Sequence, residues 1–98
     1  MSDDPMALSA RQLVAEISAG RRDPGGVTEA ALARISARND DLRALSYIAQ
    51  DEARRAAAAV CRRLAAGEHL PLAGVPLVVK DNIFVEGMPV TQGSRLFE

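Results

Sequence analysis

Lysine is almost missing from this chain. Of its 12 Lys and Arg residues only Lys80 is a lysine, and the rest are arginines. Arginine keeps its proton at any pH a folded protein survives, whereas a desolvated lysine releases it, so Lys80 alone among these residues is suited to act as a base. The competing explanation is an Arg-rich coding bias, with the Lys80 amine snorkelling to water. Cysteine is nearly absent too. A single cysteine, Cys61, excludes an intrachain disulfide framework, and with one histidine it cannot complete a zinc site, which predicts a reducing compartment and no metal. Tryptophan is absent, and Tyr47, Phe84 and Phe97 are the only aromatics.

Charge of one sign is also lacking. The formal net charge is −1, with six acids and five bases in residues 1–40 and four acids and five bases in 41–70. Without a basic face or stacking aromatics the chain lacks the footprint of a nucleic-acid binder. No apolar run approaches the roughly 18 residues of a membrane span, and the acidic start Met1-Ser2-Asp3-Asp4-Pro5 holds no signal-peptide core. A soluble cytoplasmic protein with no membrane partner is the expectation.

What is present is globular in composition: 48% of residues are hydrophobic and 26% charged. At 98 residues this is one domain or less, with a modest core of Ala, Val, Leu and Ile. Ser9 and Gln12 stand at capping-box spacing and Gly20 follows the apolar stripe Ala10, Leu13, Val14 and Ile17, predicting a helix over 10–19. Asp23-Pro24-Gly25-Gly26 reads as a turn, after which Thr28 caps a second helix to about residue 38. A short strand is predicted over 45–48 and a third helix from Asp51 to about Ala66, ended by Gly67. Arg54, Arg55, Arg62 and Arg63 fall off the apolar stripe of that helix, as a solvated face. Cys61 falls within the stripe, as a small hydrophobe rather than a reactive thiol, and His69 stands alone in a loop.

From Leu72 the pattern changes. Gly74, Pro76, Gly87, Pro89 and Gly93 punctuate the apolar runs Leu77–Val79 and Ile83–Val85. The first run suits a strand covered on both faces, so the expectation is an α/β fold: N-terminal helices over 1–70, then the first strands of a mixed sheet and a loop segment over 71–98. Lys80 would sit at the mouth of the first strand, with Asp81 and Asn82 in the turn that follows.

The stretch Leu72-Ala73-Gly74-Val75-Pro76-Leu77-Val78-Val79-Lys80-Asp81-Asn82-Ile83, followed by Gly87-Met88-Pro89-Val90-Thr91-Gln92-Gly93-Ser94, closely resembles the first conserved block of the amidase signature family. The preceding order of helices is also similar to that family's N-terminal region. The resemblance implies an amide hydrolase working through a Ser, cis-Ser, Lys triad on a small-molecule amide, with no cofactor. Lys80 matches the family's catalytic base, drawing a proton through a bridging serine so that a second serine attacks the amide carbonyl. The family's glycine- and serine-rich signature, which supplies both serines and the oxyanion hole, is not within these 98 residues. The resemblance therefore implies the N-terminal part of a single amidase domain, inactive by itself. Ser46 and Ser94 are weak candidates for dyad partners of Lys80, since both stand in contexts where serine shapes backbone. The alternatives are the A subunit of a tRNA-dependent amidotransferase, with other subunits as partners, and an inert standalone α/β interaction module. A homo-oligomer is a further partner state.

Overall fold

The computed structural model describes residues 4–94. Phe97 and the terminal tripeptide Met1-Ser2-Asp3 lie outside them. A 3₁₀ turn, Pro5–Ala7, leads into helices α1 (Ala10–Ser18), α2 (Pro24–Leu42) and α3 (Gln50–Ala65). The capping box of α1 is formed: the Gln12 N–H donates to Ser9 Oγ at 3.1 Å, and the Ser9 N–H donates to Gln12 Oε1 at 2.8 Å. Both orphan amides are satisfied reciprocally, which fixes the start of the helix.

Helix α2 begins four residues earlier than Thr28. Asp23 is its N-cap and Pro24 its first residue, where the missing proline N–H costs no hydrogen bond and the fixed φ is already helical. The helix ends at Arg43, which adopts a left-handed conformation (φ 50°) and donates its N–H to the Asn39 carbonyl at 2.6 Å. Asn39 then grips the following segment at two points, donating from Nδ2 to the Leu45 carbonyl at 3.0 Å and accepting the Leu45 N–H on Oδ1 at 2.9 Å. A side-chain amide thus supplies Leu45 with the pair of bonds a neighbouring strand would give.

The core is small. Leu13 and Ile17 of α1, Val27 of α2 and Ala73 of the C-terminal segment form one buried cluster, with Met6, Leu8, Val60, Leu64, Leu70 and Val75 packed around it. Ala57 is buried on α3. Between α2 and α3, Arg54 Nε donates to Glu29 Oε1 at 2.6 Å. All four arginines of α3 are exposed, as their place off the stripe predicts.

The expected mixed sheet is not there. Among the described residues no strand forms: residues 45–48, 75–79 and 83–85 are all non-helical backbone outside any strand ladder. The α/β assignment is therefore corrected to an all-helical arrangement followed by a turn-rich segment. A helix completes its hydrogen bonds within itself, whereas a strand needs a partner from elsewhere in the chain, and none is present among these residues. The covered apolar run is corrected with it, since Leu77 is 83% and Val78 69% exposed.

Gly74 joins this segment to the helices. Its φ is +72°, and a Cβ placed there would come within 2.8 Å of Ile17 Cδ1 and 3.1 Å of Pro24 Cβ. Gly74→Ala is expected to destabilise the chain by about 2–4 kcal/mol, combining left-handed strain with overpacking. Gly20→Ala carries similar strain (φ +78°) but meets nothing within 4 Å, and should cost only about 1–2 kcal/mol. Urea unfolding of both variants separates the two contributions, and equal losses would show that Gly74 supplies conformation alone.

Candidate functional site

The segment from Lys80 to Ser94 is built from successive turns. The Lys80 carbonyl accepts the Ile83 N–H at 3.1 Å, the Val85 carbonyl accepts the Met88 N–H at 3.1 Å, and the Thr91 carbonyl accepts the Ser94 N–H at 2.9 Å. Lys80 is exposed, at the first position of its turn. Near it in sequence the apolar side chains Leu77, Val78, Ile83 and Phe84 are between 53% and 84% exposed, so the burial expected around a base is not supplied by this part of the chain.

Asp81 draws the first and last turns together. Its Oδ1 accepts the Thr91 N–H at 3.0 Å, its Oδ2 accepts the Thr91 hydroxyl, and its main-chain carbonyl accepts the Gln92 N–H at 3.0 Å. The Thr91 hydroxyl also accepts the Gly93 N–H at 3.3 Å. The structure thereby brings Lys80-Asp81-Asn82 against Thr91-Gln92-Gly93-Ser94, the two parts of the motif that the sequence keeps ten residues apart. Sequence pattern marks Asp81 only as a turn former. Its larger role escapes that pattern because a bond between residues 81 and 91 follows no helical or strand period; the acid in one turn and the Thr-x-Gly in the other are the only signals.

The hydroxyl and amide of Thr91, with smaller help from the amides of Gly93 and Gln92, hold the Asp81 carboxyl below its ordinary value of 3.8. A depressed folded-state pKa contributes stability that is present above the ordinary value and is lost as pH falls through the folded one. The Thr91 and Gln92 amides should therefore keep their native chemical shifts down through pH 3.8 and move together only at lower pH. NMR titration checks this, and a midpoint at or above 3.8 would contradict the bond.

A second group of side chains lies elsewhere. An open groove of about 560 Å³ runs between the start of α2 and the face of α3, lined by Asp23, Gly25, Glu29, Arg54 and Cys61 among others. Its lining includes no residue of the Lys80–Ser94 segment. Cys61 Sγ donates to Asp23 Oδ1 at 3.0 Å. That bond makes the largest contribution to lowering the Asp23 carboxyl pKa, and with burial it pushes the Cys61 thiol above its ordinary 9.0. Asp23 makes no side-chain capping bond to α2 that meets hydrogen-bond geometry, and the Gly26 and Gly25 amides act on it only weakly. The thiolate is the reactive form, so a raised pKa lowers the reactive fraction of this thiol. Asp23→Ala should speed iodoacetamide alkylation of Cys61 at pH 8 several-fold, about threefold or more, by returning the thiol toward its ordinary range; an unchanged rate would show that burial, not Asp23, protects it. His69 is exposed in the loop after α3. No group of three His, Cys, Asp or Glu side chains is placed to hold a metal ion among the described residues, and no described helix is long and apolar enough to cross a membrane.

Comparison with known proteins bears on the Lys80 segment. The sequence profile of the family described as "Amidase" matches residues 26–98. The A subunit of glutamyl-tRNA(Gln) amidotransferase from Salinispora arenicola is 44% identical over 94 residues, covering 95% of this chain and 19% of the relative. The protein of the same name from Acidothermus cellulolyticus is 46% identical over 96 residues, covering 97% and 19%. A third, from Streptomyces coelicolor, is 41% identical over 96 residues with the same coverage. The chain thus spans about a fifth of the length of the curated relatives it matches. No solved structure matches.

Proposed function

The chain belongs to the amidase signature family, and we propose that it is the N-terminal part of an amidotransferase A subunit in which Lys80 is the base for amide cleavage. The observation that carries the amidotransferase reading is identity of 40–46% along nearly the whole chain to proteins bearing that name. This favours the amidotransferase over the free-standing amidase, which is the leading expectation from the motif. An enzyme that transfers an amide nitrogen must first break a C–N bond, so the amidase chemistry of the family and the name of these relatives agree in what they require.

In this reading a serine supplied by the remaining length of the protein attacks the carboxamide carbon. Its proton passes through a bridging serine to the Lys80 amine and is returned to the amide nitrogen as the C–N bond breaks, so that ammonia leaves as the acyl ester forms, and water then hydrolyses the ester. Ammonia then serves as the nitrogen donor to glutamyl-tRNA, a step that calls for further subunits. Lys80 must be neutral to accept the proton. Leu77, Val78, Ile83 and Phe84, near it in sequence, are exposed and leave apolar surface for the rest of the protein to cover.

Lys80→Ala and Lys80→Arg in the full-length protein are each expected to lower the rate of ammonia release from glutamine by about 100-fold or more, the scale of general-base loss. In residues 1–98 alone, where the side chain is exposed, thermal stability should hardly change. An active Lys80→Arg enzyme would show that this position supplies charge rather than proton transfer, since arginine retains the first and not the second.

A further inference from the structure

Lys80 stands on a long flexible stem at the first position of a turn, so where its amine goes depends on how that turn is held. A rotation of the Lys80 backbone is magnified along four methylenes before it reaches Nζ. The next residue fixes that backbone. Asp81 engages Thr91 through both carboxylate oxygens, one on the amide at 3.0 Å and one on the hydroxyl, and engages Gln92 through its main-chain carbonyl at 3.0 Å. One residue thereby makes three bonds to one loop, two of them from an ionised acceptor, which are stronger than bonds between neutral groups. The Gly93 amide, donating to Thr91 Oγ1, orients that hydroxyl toward Asp81.

We propose that Asp81 is the positioning residue for Lys80: by clamping the Lys80-Asp81-Asn82 turn to Thr91, it sets the direction in which the lysine amine is presented for proton transfer. The inference rests on the reading of Lys80 as base. Asp81 acts through Lys80 rather than on the substrate: both its carboxylate oxygens accept from Thr91. The hydroxyl of Thr91 is the second half of the clamp. Valine at 91 removes one of the two side-chain bonds and keeps the amide, whereas serine keeps both.

The test compares Asp81→Ala, Thr91→Val, Thr91→Ser and Lys80→Met in the full-length protein, with L-glutamine as the amide donor and ammonia release as the assay. Asp81→Ala is expected to lower kcat about 100-fold at unchanged KM, the cost of a misdirected catalytic group. Thr91→Val should lower it about tenfold, as one charge-assisted bond is lost, and Thr91→Ser should recover most of that. Misdirection lowers kcat with melting temperature and KM unchanged, and the conservative Thr91→Ser, which keeps both bonds, restores the rate that Thr91→Val loses. A merely structural role would lower melting temperature and activity together, and this result would overturn the inference, as would an unchanged kcat in Asp81→Ala. If Asp81→Ala fails to fold, the Thr91 pair decides: a kcat lost in Thr91→Val at unchanged melting temperature and recovered in Thr91→Ser supports the clamp, and equal kcat in the two overturns it. An active Lys80→Met enzyme would sink the base reading and this inference with it, whereas inactive Lys80→Met beside fully active Asp81→Ala would sink this inference alone.

Discussion

The approach of Gly74 to α1 and α2 is the contact on which the rest of the arrangement depends. The segment after α3 carries the motif, yet most of it is held only by its own turns. It meets the helices where Ala73, 2% exposed, enters the cluster of Leu13, Ile17 and Val27, and where the bare Cα of Gly74 faces Ile17 and Pro24. A side chain at 74 would hold the segment away from both helices and withdraw Ala73 from the cluster. Small residues here do what large ones do elsewhere: they let backbone come close enough for dispersion contacts to accumulate.

Pro24 links this contact to the groove at the start of α2. It is the first residue of the helix and is itself buried, so the same residue starts α2 and receives Gly74. Beside it Asp23, the N-cap residue, accepts from Cys61 on α3. The start of α2 therefore sits between two neighbours, the Gly74 turn and the Cys61 side chain. This explains how a helix with two glycines in its first turn, a costly composition, keeps its position: its packing is supplied by other segments rather than by its own propensity.

The helices are legible in the sequence because their signals are local. Ser9 with Gln12 and the i, i+3, i+4, i+7 stripe locate α1 nearly to the residue, and Gly67 marks the end of α3. The start of α2 is ambiguous in sequence since Asp-Pro-Gly-Gly serves equally as a turn or as an N-cap with proline at the first helical position, and only the burial of Pro24 decides between them. The strands are misplaced for a different reason. Apolar alternation or a β-branched run states a preference for extended backbone, but the partner that would complete the ladder cannot be read from the run itself. Lys80 is legible as a candidate through its singularity and its motif; the clamp from Asp81 to Thr91 is not, because it joins side chain to backbone across ten residues.

These differences share one physical basis. Where hydrogen-bond donors and acceptors find partners within four residues, as in α1 and α3, sequence pattern and structure coincide. Where the partner is remote, the chain here uses side-chain atoms in place of a neighbouring strand: Asn39 for Leu45, and Asp81 for Thr91 and the turn that follows. Both are short polar side chains whose oxygens are stiffly placed relative to their own backbone, so each transmits the position of one segment to another with little slack. In the first case the transmitted position is the path from α2 to α3. In the second it is the path of the turn that begins at Lys80, which Asp81 fixes from the loop at Thr91 rather than from within the turn itself.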